Sequence, residues 1–330
     1  MRILLWHGYL LGGTGSNVYT RMLAREWSNA GHDVTVLDTL VTSRADRLPP
    51  GAVLAEGSCG DRALVTALLR ERRIDAVIHC AARSLVGQSM TDPALYYHEN
   101  VVGGIALLDA CIDAGVTRFV FSSTAAVYGI PARTPIAEAD PTVPVNPYGE
   151  TKLALERAMR WYGVRGLRSV ALRYFNVAGA SSRIGEEHDP ETHLIPNVLR
   201  AALTGTPATL FGDDYPTPDG TAVRDYIHVM DLADAHLAAI EATAALEPGL
   251  HVCNLGTGTG FSVREVLDAA AAVVGAPIPH TIGPRRDGDP PVLVAGNDRA
   301  RELLGWTPKR STLPEMLGSA WAWHRRRAGR

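Results

Sequence analysis

This sequence lacks the cysteine patterns of metal and disulfide proteins, and it lacks a surplus of positive charge. Its four cysteines, at positions 59, 80, 111 and 253, are scattered without a Cys-x-x-Cys pair, so neither a zinc site nor a disulfide framework is indicated. The chain has 32 lysines and arginines against 35 aspartates and glutamates. A nucleic-acid partner is therefore not expected, because such binding depends on a basic surface.

Long apolar runs are missing as well. No stretch approaches the roughly 20 residues of a membrane span, and the apolar start at 1–6 is interrupted by His7 and Gly8 before it reaches signal-peptide length. We therefore expect a soluble, cytoplasmic protein that has no membrane partner and no metal site, with the cysteines as small core residues.

What the sequence does contain is an alternation of apolar runs and helical patterns. Strands are predicted at 2–6, 33–37, 76–80, 118–122 and 169–174, and helices at 16–29, 62–71, 101–114 and after Pro147. Strands separated by helices predict a doubly wound parallel sheet of the Rossmann type in an α/β fold. Beyond about residue 180 the loops become rich in Gly, Pro and Asp. We expect a Rossmann domain at 1–178, to which a segment near 225–256 returns, and a smaller mixed α/β domain at 179–330.

The helix after Pro147 carries a candidate catalytic pair. Asn146 is a good N-cap and proline suits the first helical position, so Tyr148 and Lys152, four residues apart, share one face of the helix. An ammonium near a phenol favours the phenolate and lowers its pKa toward working pH, as a general base requires. An ordinary amphipathic helix with a surface Tyr and Lys has the same spacing, so the pair gains weight only from the motifs around it.

A glycine-rich turn follows the first strand and leads into a helix. Gly12, Gly13 and Gly15 allow backbone N–H groups to approach a pyrophosphate at the helix N-terminus. Asp38 closes the second strand, where a carboxylate binds ribose hydroxyls and repels a 2′-phosphate, which favours NAD over NADP. Val18 replaces the third glycine of the usual fingerprint. A tight turn at the start of any α/β helix is the alternative interpretation.

Small and hydroxyl-bearing residues follow two later strands. Cys80-Ala81-Ala82 and Ser122-Ser123-Thr124 come where strands end, and ligands of open α/β sheets bind at that edge. Thr124 or Ser123 is placed to bind a substrate hydroxyl beside Tyr148. A polar loop without function has the same composition.

Together with Leu172-Arg173-Tyr174-Phe175-Asn176, these motifs resemble the extended short-chain dehydrogenase/reductase superfamily. Within it the sequence is similar to the UDP-glucose 4-epimerase family. The segments that carry this similarity are 81–89, 188–196, 211–221, 223–229 and 284–289, within a match over about residues 50–325.

The resemblance implies an NAD-dependent reaction on a UDP-sugar. Tyr148 would remove the proton of the sugar 4-hydroxyl, Lys152 would lower the Tyr148 pKa and hold the nicotinamide ribose, and Thr124, with Ser123 beside it, would bind the reacting hydroxyl. The implied NAD contacts, besides Tyr148 and Lys152, are Gly12, Gly13, Gly15, Asp38, Thr39, Ser58, Cys80, Ala81, Ala82, Ser122 and Phe175. The implied substrate contacts, besides Thr124 and Tyr148, are Ser84, Asn176, His193, Leu194, Thr209, Phe211, Arg224, Arg286 and Asp289.

Some of these assignments have alternatives. Arg224 would equally suit a structural ion pair with Asp225 or Asp231, and Arg173 receives no role. The resemblance also implies a homodimer formed through the helices near 92–113 and 148–161.

The sequence departs from the family pattern in several places. Residues 7–30 do not resemble the opening of the family, and 7–19 instead resemble the start of nucleotide-sugar glycosyltransferases. Ser58 stands where the family usually has Asp, and Glu99 where it usually has Asn. Leu293 falls where some members have a bulky Tyr, so an N-acetyl substituent at C2 would be admitted.

Four rival functions follow from these features. A glycosyltransferase is supported only by the N-terminal stretch and would leave Tyr148, Lys152 and Thr124 unexplained. A 4,6-dehydratase is disfavoured, because Ala125 and Ala126 cannot transfer protons. The other two are a UDP-sugar-binding protein with a decayed NAD site, and an epimerase of UDP-GlcNAc, a UDP-pentose or a UDP-uronate.

Overall fold

The computed structural model describes residues 1–6, 15–40, 48–186, 191–286 and 288–329. The strands are β1 Arg2–Trp6, β2 Asp33–Asp38, β3 Ala52–Glu56, β4 Ala76–His79, β5 Arg118–Thr124, β6 Arg168–Tyr174, β7 Asn176–Ala178, β8 Ala208–Phe211, β9 Val223–Arg224, β10 Tyr226–His228, β11 Gly249–Leu255, β12 Phe261–Ser262, β13 His280–Gly283 and β14 Val292–Leu293. The helices are α1 Gly15–Asn29, α2 Arg62–Glu71, α3 Val86–Thr91, α4 Pro93–Tyr96, α5 Gly103–Ala114, α6 Pro147–Tyr162, α7 Leu194–Thr204, α8 Val229–Ala242, α9 Val263–Val274, α10 Asp298–Leu304 and α11 Leu313–Arg327.

Seven of the strands form one parallel sheet in the order β11-β6-β5-β4-β1-β2-β3. The central strands are continuous apolar runs because helices cover both faces of a parallel sheet. One face is covered by α1 and α8, with Leu23, Trp27 and Leu232 in its core, and the other by α2, α5 and α6, with Leu107 and Leu155. The predicted doubly wound Rossmann-type sheet is confirmed. Its strand order reverses next to β1, and a crevice opens at such a switch point beside the carboxyl ends of the strands.

Several elements differ from the prediction. The sequence pattern indicated no strand at 52–56, where β3 pairs in parallel with β2. It also predicted one regular helix at 101–114, where the structure has a π-helical turn, Tyr97–Val102, followed by α5. A π-helical turn inserts one residue into the helical repeat, so the residues before it lie on other faces than regular counting predicts.

The remaining strands form small sheets beside the carboxyl edge of the large one. They pair as β12-β9-β14, β10-β7 and β13-β8, and α7, α9 and α11 share a core that includes Val198, Val266 and Leu317. The chain also returns to the large sheet after these elements begin, because β11 pairs with β6 and α8 packs on its face.

All four cysteines are free and buried. Within the described ranges, no helix has both the length and the apolar character needed to cross a membrane.

Candidate active site

The amino end of α6 lies against the carboxyl end of β5. Asn146 caps the helix by accepting a hydrogen bond from the Gly149 N–H at 2.8 Å, and Pro147 occupies the first turn. A Cβ on Gly149 would lie 2.6 Å from the carbonyl oxygen of Ala126, so glycine permits the close approach of α6 to the 3₁₀ turn Ala125–Tyr128. This packing places Tyr148 beside Thr124, the last residue of β5.

The Tyr148 phenol is hydrogen-bonded to Thr124 but is not acidified in this structure. Burial raises the pKa of Tyr148 to about 12, and the hydrogen bond from Thr124 opposes that rise only in part. The lowered phenol pKa expected from the Tyr-x-x-x-Lys spacing is therefore not observed. The reason is that desolvation of the phenolate dominates, while the ammonium of Lys152 is directed elsewhere.

Lys152 is held inside the protein by the strand next to it. Its side chain is buried, its Nζ donates to the Ser122 carbonyl oxygen at 2.7 Å, and the same atom lies 4.6 Å from the centre of the Phe121 ring. Burial lowers the pKa of Lys152 to about 8, against the opposing influence of Cys80 and Glu156. The ammonium is thus a fixed donor at the end of β5.

Ser123 does not join Thr124 at the phenol. It is buried, and its hydroxyl donates to Glu156 Oε1 at 2.5 Å. Ser123 therefore meets α6 at Glu156, one turn beyond Lys152, whereas Thr124, at the end of β5, meets the Tyr148 phenol. The predicted catalytic contact by Ser123 is corrected accordingly, and Thr124 remains the candidate.

The candidate cofactor residues line the carboxyl edge of neighbouring strands. Cys80, Ala81 and the half-buried Ala82 follow β4, Ser122 lies two residues before the end of β5, and Phe175 follows β6. The Ser122 hydroxyl lies 2.9 Å from His236 Nε2, and the Ser122 carbonyl oxygen accepts the hydrogen bond from Lys152. Small side chains at this edge leave room for a dinucleotide, as the fold requires.

The other end of this edge carries the candidate adenosine contacts. Asp38 closes β2 with one carboxylate oxygen accepting from the Leu40 N–H at 2.7 Å, and Thr39 follows it. Ser58 follows β3 and accepts from the Gly60 N–H at 3.1 Å. Gly15 begins α1, and the predicted contacts Gly12 and Gly13 lie outside the described residues.

Two arginines and a carboxylate meet on the small sheets. Arg224 Nη2 lies 2.7 Å from Asp289 Oδ1, and Arg286 Nη2 lies 3.1 Å from Asp289 Oδ2. The Arg286 guanidinium is stacked 5.0 Å from the centre of the Phe211 ring. Phe211 and Thr209 share the exposed face of β8. Four of the predicted substrate residues other than Asp289 are therefore near this carboxylate or on the strand beside it.

The structural ion pair expected as an alternative for Arg224, with Asp225 or Asp231, is not formed. The Asp225 carboxylate instead accepts from the backbone of Thr257, Gly258 and Ala295. The Asp231 carboxylate accepts from the backbone N–H groups of residues 309 and 310 and from the Ser311 hydroxyl.

The remaining predicted substrate residues lie on separate elements. Asn176 begins β7, and its Nδ2 donates to the Asp225 carbonyl oxygen at 3.2 Å. His193 precedes α7, with Nδ1 2.9 Å from Glu191 Oε1, and Leu194 begins that helix. Ser84 is half-buried between β4 and α3.

Sequence reasoning missed Asn100. This buried side chain accepts from the Arg83 N–H at 2.7 Å and donates to the Arg83 carbonyl oxygen and to Thr151 Oγ1, both at 3.0 Å. It therefore ties the segment after β4 to the catalytic helix. Glu99, which stands by position where the family has Asn, is exposed. Both residues lie in the π-helical turn, where counting along a regular helix fails.

A doubly wound sheet with a Tyr-x-x-x-Lys helix at its carboxyl edge defines the class of extended short-chain dehydrogenases/reductases. Comparison with known families gives the narrower assignment. The model of the NAD dependent epimerase/dehydratase family matches residues 9–256, and the chain belongs to this family. The match includes the glycine-rich turn that looked atypical.

Individual relatives agree with this family. The UDP-glucose 4-epimerase of Lactobacillus helveticus is 50% identical over 305 residues, which are 91% of this chain and 92% of that protein. The crystal structure of the UDP-glucose-4-epimerase from Stenotrophomonas maltophila, with bound NAD and formylated UDP-arabinopyranose, superposes with a TM-score of 0.91 at 37% identity and covers 100% of this chain and 99% of that one. The Brucella ovis UDP-glucose 4-epimerase, in complex with NAD, gives 0.89 at 40% identity, covering 97% and 98%.

Proposed function

We propose that this protein catalyses the NAD-dependent epimerisation of a UDP-hexose at C4, between UDP-glucose and UDP-galactose. The observation that carries the proposal is the hydrogen bond of Tyr148 to Thr124 at the sheet edge, in a chain that has the family's fold over its whole length. The same edge fits the cofactor: Asp38 ends β2, small residues follow β4, and Lys152 is a fixed donor beside Ser122.

In this reaction Tyr148 takes the proton of the sugar 4-hydroxyl and returns it, while Thr124 holds the same hydroxyl in place. When bound, NAD supplies a hydride acceptor for C4, returns the hydride to the opposite face of the sugar, and adds a positive charge that favours the phenolate. Lys152 keeps its ammonium at a fixed position at the end of β5 throughout. No net oxidation occurs, because each proton and hydride removed is returned.

The UDP portion is assigned to the small sheets. Arg224 and Arg286 are suited to a diphosphate as charge-assisted donors, and both are already gathered around Asp289. Asn176, His193, Leu194 and Thr209 are assigned to the remaining contacts around the nucleotide. In this proposal residues 1–178, with the returning segment, hold NAD and residues 179–330 hold the UDP-sugar.

A second copy of the chain is the proposed partner. Apolar side chains are exposed on the helices expected at the interface, at Tyr97, Val102, Ile105 and Trp161, and Trp161 is 72% exposed. Burying them against a symmetric copy removes apolar surface from water. Light scattering at several protein concentrations tests this, and a monomer at every concentration contradicts it.

The free, buried thiols support the cytoplasm as the compartment.

The test of the function starts from purified protein. Denaturation should release NAD, and the intact protein should convert UDP-glucose to UDP-galactose. Parallel reactions with UDP-GlcNAc, a UDP-pentose and a UDP-uronate identify the preferred sugar. Leu293, which packs against the buried cluster that includes Phe175, favours a site that admits an N-acetyl group. A protein that carries no NAD, gains none on addition and still binds UDP-sugar is instead a UDP-sugar-binding protein.

A further inference from the structure

A buried ion pair lies behind the candidate catalytic residues. Arg173 on β6 meets Glu156 on α6 through two hydrogen bonds, Nη2 to Oε2 at 2.5 Å and Nε to Oε1 at 3.0 Å. Their side chains are only 6% and 2% exposed. Desolvating two charges is costly, and an apolar pair of similar volume is often at least as stable, so stability alone does not explain the pair.

The pair is the centre of a larger network. Glu156 Oε1 also accepts from the Ser123 hydroxyl, and Arg173 Nη1 donates to the Tyr128 hydroxyl at 2.9 Å. Tyr128 in turn donates to Asn254 Oδ1 at 2.7 Å. The network thus connects β5, α6, β6, the 3₁₀ turn after β5, and β11.

Three residues of this network lie close in the sequence to a candidate catalytic residue. Ser123 precedes Thr124, and Glu156 lies one helical turn after Lys152. Tyr128 ends the 3₁₀ turn that begins after Thr124 and that packs against the start of α6. The relative position of β5 and α6 decides where Thr124, the Tyr148 phenol and the Lys152 ammonium meet.

We propose that Glu156 and Arg173 are positioning residues of the reaction, which hold β5 and α6 in the register that brings Thr124, Tyr148 and Lys152 together. The inference rests on the proposed epimerase function. Both side chains are buried and hydrogen-bonded to protein groups, so in this proposal they act through their neighbours and not by contact with the substrate. Their effect is therefore on turnover, with UDP binding on the small sheets left as it is.

The experiment compares Glu156→Gln and Arg173→Lys with wild type in the NAD-containing protein. The readouts are kcat and KM for UDP-galactose conversion, the Kd of UDP by calorimetry, the NAD content and the midpoint of thermal unfolding. Glu156→Gln is expected to lower kcat at least about tenfold with the Kd of UDP unchanged, because small displacements of reacting groups are costly in rate. Arg173→Lys retains one charged donor and should lose less activity than Arg173→Met.

Two further variants keep the test decisive. A single change leaves an unpaired buried charge and threatens folding, so the double variant Glu156→Gln/Arg173→Met removes both charges while Ser123 keeps an acceptor. It is expected to fold and bind UDP with kcat still reduced. Glu150→Gln is the matched control, the same change on the same helix in an exposed pair with Arg157, and it should retain wild-type kcat.

The possible outcomes are distinct. If the folded Glu156→Gln and double variants keep more than about half of the wild-type kcat, the positioning role is overturned. A fall in kcat matched by an equal loss of UDP affinity or of folded protein overturns it too, since that is the signature of a purely structural pair. Wild-type protein that converts no UDP-sugar overturns the proposed function and this inference with it.

Discussion

The Lys152 ammonium donates a hydrogen bond to the backbone carbonyl oxygen of Ser122, with 2.7 Å between the two atoms. This contact fixes a positive charge at the end of the strand that also carries Thr124. Burial removes water from the ammonium and disfavours its charged form, so the pKa of Lys152 is lowered to about 8. The site therefore contains a cation that loses its proton within an accessible pH range.

The rate should decline on the alkaline side as this proton is lost. The groups around the ammonium are Cys80, which follows β4, Ser122 and Phe121 from β5, and Glu156 from its own helix. If the charged form is the active one, kcat falls as the pH rises through about 8. Glu156→Gln removes a group that raises the Lys152 pKa, so the decline should begin at lower pH. A kcat that stays constant to pH ~10, the ordinary range for lysine, contradicts the assignment.

The same burial predicts that Lys152 reduces stability. Its ordinary pKa is 10.5 and its folded value is about 8, so below pH 8 the folded state holds a charge it disfavours. The unfolded chain binds more protons between these values, and stability therefore rises with pH across that window. Lys152→Met should be more stable than wild type at pH 7 by on the order of 2 kcal/mol, after the lost hydrogen bond to Ser122 is counted.

Urea unfolding at pH 7 and near pH 10 measures this difference. The advantage of the Met variant should shrink at the higher pH, where wild-type Lys152 is neutral. Lys309→Met is the control, because Lys309 is exposed and should show no such pH dependence. A Met variant that is less stable than wild type at pH 7 would mean that the hydrogen bond outweighs desolvation.

Removing the Tyr148 hydroxyl should stop the reaction and spare substrate binding. Tyr148→Phe is expected to lower kcat by ~10² or more, because a positioned general acid–base contributes about that much. The ring remains, and the arginines assigned to the diphosphate lie on other elements, so the Kd of UDP should stay near its wild-type value. Retention of more than about a tenth of the wild-type rate would falsify the role of Tyr148 as base.

Adjacent arginines allow a matched test of the UDP site. Arg286 pairs with Asp289 and stacks on Phe211, whereas its neighbour Arg285 pairs with Asp214. Arg286→Gln should weaken UDP binding by about 10-fold to 100-fold, as expected for loss of a charge-assisted hydrogen bond. Arg285→Gln should leave the Kd close to that of wild type. Equal effects from the two changes would indicate a general loss of positive charge and no specific contact.

The large sheet could be predicted from sequence because its determinants are local. Apolar runs and the Asn146-Pro147 start define elements within a few residues, and the predicted helix 62–71 matches α2. β3 was not predicted because its apolar run, residues 52–55, is only four residues long, and such a short run does not distinguish a strand from other structures by pattern alone.

The site could be predicted only in part, because its geometry depends on long-range pairing. Strands as short as β9 and β14 have no local signature, so the contact of Arg224 with Asp289, 65 residues away, was not foreseeable. The Glu156–Arg173 pair was not predicted for a different reason. Charged residues are rarely buried, and their sequence positions resemble ordinary surface residues. The direction of the Tyr148 pKa shift also depends on how deeply the phenol is buried, which only the three-dimensional structure shows.

The contact between α6 and the 3₁₀ turn can be tested by adding one methyl group. In Gly149→Ala the new Cβ would lie 2.6 Å from the Ala126 carbonyl oxygen, which is backbone and cannot rotate away. Relief requires the helix start to move, so we expect destabilisation of about 1–3 kcal/mol, as in overpacked cores. Because Tyr148 is the adjacent residue, kcat should fall further than the loss of folded protein explains.

Gly87→Ala in α3 is the control, since nothing lies within 4 Å of its Cβ position. Thermal unfolding and kcat are measured on both variants, and equal behaviour would show that the approach of α6 to the turn is not tightly constrained.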